Sequence, residues 1–429
     1  MFSARTILLL AATVLAAPSA AQAQLKAAIG DWPAWMGADR TGVSSETGLL
    51  KKWPQDGPKL LWKVTDIGDG YSTPSVVGDK IYLLSNRGTR DEFALALSVP
   101  DGKSLWSKRL GSVGNPNQRP PYPGSRSTPT VDGDAVYVLG SDGDLACLDA
   151  AKGAVRWKKS LRTDFGGKPG VWAYAESPLI DGDVLICTPG GEQATLVALN
   201  KKNGELIWKA SVPSDKPSDN TAAYASPIVA TVGSVKQYIQ FLGGGMVGVA
   251  AKDGKLLWRY NKVTGTTNCT TPLFHDDCVF VSAINRRGTG SGGALVRLTA
   301  DGDGVSAREV YLIKELANHH GGVVRVGDAL YGTNNTSLVC IDFKTGATKW
   351  ENRSVGKGSV TAADGRLYVR SEDGPIALVE ATPNGYKEIS RFEQPNRSKK
   401  KSWPHPVVAG GRLYLRDQDV LLCYDVKAK

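Results

Sequence analysis

One unit repeats along the chain about every 40 to 50 residues. Its clearest copy runs Ser-Thr-Pro-Thr-Val-Asp-Gly-Asp-Ala-Val-Tyr-Val-Leu-Gly over 127–140 and ends at Gly153 and Trp157. In five copies a Gly stands four residues before a Trp, and a small residue such as Cys147 stands ten before it. The five pairs are Gly102 and Trp106, Gly153 and Trp157, Gly204 and Trp208, Gly254 and Trp258, and Gly346 and Trp350. Self-similarity at this period indicates a repeat architecture and constrains the fold more than composition does.

Each unit predicts four short strands. A Pro-bearing strand is followed by a Gly-Asp turn, an alternating strand, a third strand, a Lys-Gly type turn and a strand ending in Trp. A four-stranded unit of this length is typical of a propeller blade, because so small a sheet buries its faces only by stacking on neighbours. We therefore predict an all-β fold, a single eight-bladed β-propeller over 59–429.

The two ends of the repeat array complement each other. The eighth unit stops after Asp425 and lacks its Trp-bearing strand, whereas an orphan strand ending in Trp62 precedes the first unit. Pairing the two would complete the eighth blade and remove two exposed edges. The sequence thus predicts a ring closed by its N-terminal strand.

The first residues have the pattern of an export signal. Arg5 precedes an apolar run over 7–17, and Ala21-Gln22-Ala23 gives a small-x-small cleavage site. We predict a signal peptide over 1–23, cleaved after Ala23, and a periplasmic or secreted protein. Residues 24–58 are then an N-terminal strap. No later stretch reaches ~18 apolar residues, so no membrane span is expected.

The charge distribution limits the classes of binding partner that the sequence predicts. The formal net charge of +10 is spread along the chain, so nucleic acid is not expected, and the dense run 397–401 is interpreted as a solvated loop.

Cysteines at one repeat position are predicted to be buried and unpaired: Cys147, Cys340 and Cys423. Pairing of Cys269 with Cys278 is left open, and we expect a monomer.

The pattern small-x-Asp-x-x-x-Gly-x-x-x-Trp over 147–157 and 340–350 resembles the repeat of pyrroloquinoline quinone (PQQ) dehydrogenase propellers. The outer-membrane assembly propeller lipoprotein shares this repeat. The segments 31–37 and 318–322 look like those of secreted PQQ-like propeller proteins of planctomycetes and their relatives. The resemblance implies the fold and raises PQQ with Ca²⁺ as a cofactor, which stays open. The best-known members hold Ca²⁺ with carboxylate and amide oxygens beside a vicinal Cys-Cys disulfide; this chain has no Cys-Cys pair.

Loops that enter the innermost strands meet around the central funnel of a propeller, and here they are chemically diverse. They hold three of the four histidines. Candidate catalytic residues are His320 as an acid or base, Glu176 as the one carboxylate of the ring, and Arg126 as an anion holder. Candidate ligand-binding residues are Tyr71, Trp172, Tyr174, Tyr224, Asn268, His319, Lys357, Trp403 and His405. No metal site is predicted, because adjacent His side chains often diverge and no Asp or Glu stands at ligand spacing beside them.

Three functions fit these residues. The first is an exported propeller that binds a glycan, a small molecule or an envelope protein at its funnel. The second is a periplasmic PQQ-dependent alcohol or sugar dehydrogenase. The third is a propeller-type sugar lyase or hydrolase using His320 and Tyr224. Whether the protein is an enzyme is left open.

Overall fold

A computed structural model describes residues 25, 27–214, 216–265, 267–285 and 290–428. The predicted signal peptide lies outside the described residues. Eight sheets form the eight predicted blades; all are antiparallel except that a short N-terminal strand joins one of them in parallel. The all-β propeller is confirmed. The described residues include one helical element, a 3-10 helix at Pro217–Asn220. They include no helix that is long and apolar enough to cross a membrane.

The strands of the first half follow the repeat. The N-terminal segment holds β1 (Val43–Ser44), and the orphan strand is β2 (Lys59–Val64). Blades 1 and 2 comprise β3 (Ser75–Val77), β4 (Lys80–Arg87), β5 (Asp91–Ser98), β6 (Ser104–Ser112), β7 (Thr130–Asp132), β8 (Ala135–Leu139), β9 (Asp144–Asp149) and β10 (Val155–Ser160). Blades 3 and 4 comprise β11 (Leu179–Asp181), β12 (Val184–Cys187), β13 (Leu196–Asn200), β14 (Leu206–Ala210), β15 (Ile228–Val232), β16 (Val235–Leu242), β17 (Gly245–Ala250) and β18 (Leu256–Tyr260).

The second half continues the pattern to the last blade. Blades 5 and 6 comprise β19 (Leu273–His275), β20 (Cys278–Ala283), β21 (Gly292–Asp301), β22 (Gly304–Ile313), β23 (Val323–Val326), β24 (Ala329–Thr333), β25 (Leu338–Asp342) and β26 (Thr348–Asn352). Blades 7 and 8 comprise β27 (Gly358–Ala363), β28 (Arg366–Ser371), β29 (Ile376–Glu380), β30 (Glu388–Phe392), β31 (Val407–Ala409), β32 (Arg412–Asp417) and β33 (Val420–Asp425).

The ring closes as predicted. Strand β2 is the outer strand of blade 8 and pairs antiparallel with β33, so that Trp62 faces Cys423. The first strand of the array thereby supplies the strand that the eighth unit lacks. Blade 8 is built from both ends of the chain, which ties the ring together.

In five units the indole N–H of the repeat Trp bonds its blade to the next one: Trp62, Trp106, Trp157, Trp208 and Trp350. Trp157 lies directly opposite Cys147 on the adjacent strand, which explains why the residue ten before each Trp is small. Its indole N–H donates to the carbonyl of Lys201 in blade 3 at 2.9 Å. Gly204 of that blade has φ +73°, and a Cβ there would lie 2.8 Å from the Trp157 ring. The Gly of the motif is therefore needed both for the turn and for the Trp of the preceding blade.

The cysteines are free thiols. Cys147, Cys187, Cys278, Cys340 and Cys423 are buried, which confirms the predicted packing role of the three at the repeat position. Cys278 begins β20, whereas Cys269 precedes β19 at the funnel; both are unpaired.

Candidate functional site

A cavity of about 470 Å³ lies at the funnel mouth. Eight of the predicted site residues line it: Tyr71, Arg126, Trp172, Tyr224, His319, His320, Lys357 and Trp403. Ten further residues complete the lining: Trp35, Thr73, Pro120, Tyr122, Ala175, Ser226, Thr267, Cys269, Glu372 and Lys401. The loops that enter the inner strands thus do converge, and the cavity has the volume of a small-molecule site.

Aromatic rings form one wall of the cavity. Trp403 lies against Tyr71 with ring centroids 4.5 Å apart and an interplanar angle of 30°. Tyr122 meets the same indole edge-on at 4.9 Å, and His320 lies 5.7 Å away. On another part of the lining, Trp172 and Tyr224 are 5.7 Å apart. Flat apolar faces of this kind stack on planar or sugar rings.

Arg126 holds the loops of this wall together. Its guanidinium donates to the carbonyls of Gly124 and Trp172, both at 3.0 Å, to the carbonyl of Tyr122 and to the side chain of Gln118. Burial lowers its pKa. Because these acceptors already engage the guanidinium, Arg126 acts as a brace for the wall rather than as an open anion holder.

Glu372 is the centre of the polar wall. Its Oε2 lies 3.0 Å from His320 Nε2 and 3.2 Å from both Lys357 Nζ and Trp403 Nε1. Its Oε1 lies 3.3 Å from Lys401 Nζ. Burial raises the pKa of Glu372, but its bond to His320 and the nearby ammonium groups outweigh burial and hold that pKa well below its usual value. The carboxylate is therefore ionised and fixes four donor side chains around the cavity.

The surroundings of His320 favour its neutral form. Burial lowers its pKa, and the bond to Glu372 raises it only partly back. With Nε2 against the Glu372 carboxylate, the proton resides on Nε2, which leaves Nδ1 as the unprotonated nitrogen. Nδ1 is buried and accepts no hydrogen bond from the described part of the chain.

Four predicted site residues serve the fold instead of lining the cavity. Tyr174 packs in the core between blades 2 and 3 and donates to Pro189 O at 2.9 Å. Asn268 anchors its loop, accepting from Gly265 N and donating to Leu242 O. The sequence does not show burial at these loop positions, so both were predicted as site residues from their place in the funnel loops and their chemistry alone.

Glu176 and His405 are likewise buried beside the cavity. Glu176 accepts from Thr188 N at 2.6 Å and from Gln240 Nε2 at 2.9 Å, and burial raises its pKa to about 7. His405 lies under Trp35 with ring centroids 4.6 Å apart, and burial lowers its pKa to about 4.

The residues that the sequence analysis missed come from other loops. Glu372 follows β28 in the loop to β29. This loop opens on the same face as the loop entering the inner strand, because the two antiparallel strands β27 and β28 lie between them. Lys401 belongs to the basic run, and the interpretation of that run as a solvated loop is corrected. Lys401 lines the cavity, Arg397 pairs with Asp417 at 3.2 Å, and Lys400 pairs with an acidic loop residue of blade 1. Glu372 could have been found from its position in the turn between the second and third strands of its blade, here called the mid-blade turn.

The donor set does not fit Ca²⁺ with PQQ. Calcium takes six to eight oxygen ligands. The carboxylate that lines the cavity, Glu372, is already surrounded by Lys357, Lys401 and two further donors. Asn268, the amide candidate, uses its oxygen for Gly265 N. Within the described ranges, no group of three His, Cys, Asp or Glu side chains is arranged to hold a metal ion.

Comparison with known proteins agrees with the repeat. The family model described as "Outer membrane protein assembly factor BamB" matches residues 20–169, 90–352 and 291–385. The chain is 24% identical over 351 residues to BamB of Yersinia pestis, covering 77% of this chain and 80% of that one. Two solved structures share the fold. BamB of Moraxella catarrhalis has a TM-score of 0.60 at 16% identity and covers 86% of this chain and 98% of its own. The quinohemoprotein alcohol dehydrogenase of Comamonas testosteroni has a TM-score of 0.62 at 12% identity and covers 94% and 82%.

Proposed function

Because the chain belongs to the PQQ-like repeat family described as outer membrane protein assembly factor BamB, whose fold serves different functions, we propose a function from the site itself: the funnel cavity binds a small acidic sugar. The observation that carries this proposal is the pairing of two walls. One is the stacked pair Tyr71 and Trp403, and the other is the Lys357–Glu372–Lys401 cluster.

The aromatic wall supports a ring-shaped ligand. A pyranose presents an apolar C–H face that stacks on indole and phenol rings. Trp172 adds a buried indole N–H that has no acceptor among the described residues, although its side chain lines the cavity. The ring itself adds a further aromatic face to the cavity.

The polar wall supports an acidic group on that ring. Three cationic side chains line the described cavity, Arg126, Lys357 and Lys401, against one carboxylate, Glu372. Both ammonium groups place positive charge on this wall beside Glu372, and a ligand carboxylate is attracted to them. The formal charge of +10 further favours acidic ligands.

Alternative ligands find less support. The relatives named as outer membrane assembly factors suggest an envelope protein, but a recessed cavity of about 470 Å³ matches a small ligand better than a protein surface. A PQQ-dependent dehydrogenase is disfavoured by the donor set. Export to the periplasm or beyond stays a prediction from 1–23.

A sugar lyase or hydrolase is the second candidate, and the His320–Glu372 bond of 3.0 Å is the observation that favours it. A carboxylate that fixes a neutral imidazole is a recurrent acid–base arrangement. Burial raises the pKa of Tyr224, the other proposed group, to about 12, so its hydroxyl is a proton donor rather than a base.

Titration calorimetry tests the proposal with glucuronic acid, glucose and benzoate as probes. We expect glucuronic acid to bind, glucose to bind more weakly, and Trp403→Ala to weaken glucuronic acid about tenfold or more. Lys357→Gln should weaken glucuronic acid and leave glucose unchanged. Trp350→Phe, an outer-strand variant, is the matched control. Absence of binding by all three probes, or equal affinity for the acid and glucose, would overturn the proposal.

A further inference from the structure

The N-terminal strap (residues 24–58), called the N-terminal segment below, contacts the inner part of every blade. Trp32 pairs with Val76 of blade 1 through two backbone hydrogen bonds, of 2.7 and 2.9 Å. Pro33 O accepts from Val131 N of blade 2 at 2.8 Å. The segment therefore starts along the inner strands rather than on the outer rim.

The middle of the segment reaches blades 3 to 5. The buried Arg40 donates to the carbonyls of Ser177 and Pro227, both at 3.1 Å, which precede the inner strands of blades 3 and 4. Trp35 Nε1 donates to Thr271 Oγ1 of blade 5 at 2.8 Å.

The end of the segment reaches blades 6 to 8. Gly42 lies against Val324 of blade 6. Val43 pairs in parallel with Ala362 of blade 7. Ser44 Oγ donates to the carbonyl of Val408 in blade 8 at 2.9 Å.

The two ends of the segment lie at the channel end opposite the funnel, and its middle reaches to where the inner strands begin. Asp31 Oδ1 accepts from Gly78 N at 2.9 Å, and Glu46 Oε2 accepts from Gly411 N at 3.2 Å. Both glycines lie in the turn that follows an inner strand, whereas the cavity is formed where the inner strands begin. The crossing of residues 31–46 therefore closes the central channel from behind.

Trp35 is the residue of this crossing that reaches the cavity. It lines the cavity with its half-buried side chain, rests on His405 at 4.6 Å and is fixed by Thr271. Trp32, three residues earlier, is buried in the core of blades 8 and 1 and does not line the cavity.

We infer that the N-terminal segment is a structural part of the ligand site: it makes the funnel a closed cup, and Trp35 is the floor that determines how deeply a ligand enters. The second half of this inference rests on the proposed acidic-sugar site. The first half, closure of the channel, does not.

Acylation of His405 by diethyl pyrocarbonate, read by peptide mass spectrometry on the full chain, tests closure without any ligand. His405 is 2% exposed in the wild type and is expected to be unlabelled. Trp35→Ala should make it reactive, whereas Trp32→Phe should not. Maleimide labelling of the buried Cys147 identifies any variant that unfolds, and Trp35→Leu, whose smaller side chain should also uncover His405, replaces an unfolded Trp35→Ala. Continued protection of His405 in folded Trp35→Ala would overturn the closure.

Calorimetry with glucuronic acid on the same variants tests the floor. Trp35→Ala should weaken binding about tenfold and Trp32→Phe should not change it. Reactive His405 with unchanged affinity would overturn the role of Trp35 in ligand binding. Reactive His405 in Trp35→Ala, together with no binding by the wild type, would overturn the acidic-sugar site and leave the closure standing.

Discussion

Glu372 accepts a hydrogen bond from His320 at 3.0 Å across the boundary between blades 6 and 7. The two residues come from different kinds of loop: His320 enters an inner strand, and Glu372 lies at a mid-blade turn. Their contact joins the histidine-rich loop to the lysines of the polar wall, and this geometry depends on one carboxylate.

Replacing that carboxylate should lower the pKa of the His320 imidazole. In Glu372→Gln the nearby ammonium groups of Lys357 and Lys401 remain, and the carboxylate that raises the pKa of His320 is lost. The pKa of His320 should therefore fall further below its usual value, as measured by proton NMR titration of the imidazole. Asp373→Asn, which removes only a partner of Lys401, is the control. A pKa that stays the same or rises in Glu372→Gln would contradict the described cluster.

The Trp–Gly contact between blades predicts that Ala substitution lowers the free energy of unfolding more at one glycine than at another. Gly153 has φ +67°, and a Cβ there would lie 2.6 Å from the Trp106 ring, whereas Gly133 has φ +61° and open space around it. Gly153→Ala should lower the free energy of unfolding by about 2–4 kcal/mol, and Gly133→Ala by about 1 kcal/mol from backbone strain alone. Urea unfolding measures both. Equal losses would show that the Trp contact contributes nothing.

The buried Glu92 should make the free energy of unfolding depend on pH. It is buried between blades 1 and 2, its Oε2 accepts from Ser141 N and Oγ, and burial raises its pKa to about 7. The unfolded chain ionises this carboxyl near its usual value of 4.5, so its contribution to stability is full below that pH and falls as pH rises to about 7.

Glu92→Gln should therefore flatten the stability profile between those pH values, by roughly 1–3 kcal/mol. Urea midpoints measured from pH 4.5 to 8 give this profile. Glu176, whose pKa burial also raises to about 7, retains a second such slope in the variant. An unchanged slope after Glu92→Gln would mean that another group is responsible for it.

Arg416 should contribute strongly to the free energy that holds the ring closed between blades 8 and 1. This buried guanidinium in blade 8 donates to the carbonyls of Ser72 and Leu84 in blade 1, at 3.0 and 2.6 Å, and to Gly68 at 3.1 Å. A Lys ammonium cannot span these carbonyls, so Arg416→Lys should cost about 3 kcal/mol of unfolding free energy. Arg366→Lys, at a half-buried position in blade 7 where the guanidinium donates only to Asp364 of its own turn, is the control. Loss of less than about 1 kcal/mol, the value typical of one hydrogen bond, would contradict this role.

The sequence was sufficient for the architecture because the fold is periodic. The Trp spacing reflects a contact made between successive blades, and the pairing of Trp62 with Cys423 follows from one incomplete and one orphan unit. Local pattern and global closure therefore point to the same ring.

The site could be predicted only in part. The repeat alignment identified the loops entering the inner strands, and it gave Tyr71, His320 and Trp403. It could not separate these from Asn268, which is in an equivalent loop but turns its amide into backbone contacts. Trp35 lies outside the repeat altogether, so no alignment of units could place it in the cavity.

The central claim is that a small acidic ring binds at the funnel, and indole N–H signals in a ¹⁵N-resolved NMR titration with glucuronic acid test it most directly. The signals of Trp35, Trp172 and Trp403 should shift, while those of Trp157 and Trp208, which dock neighbouring blades, should stay in place. Shifts at the docking tryptophans alone, or no shift at millimolar glucuronic acid, would contradict the account.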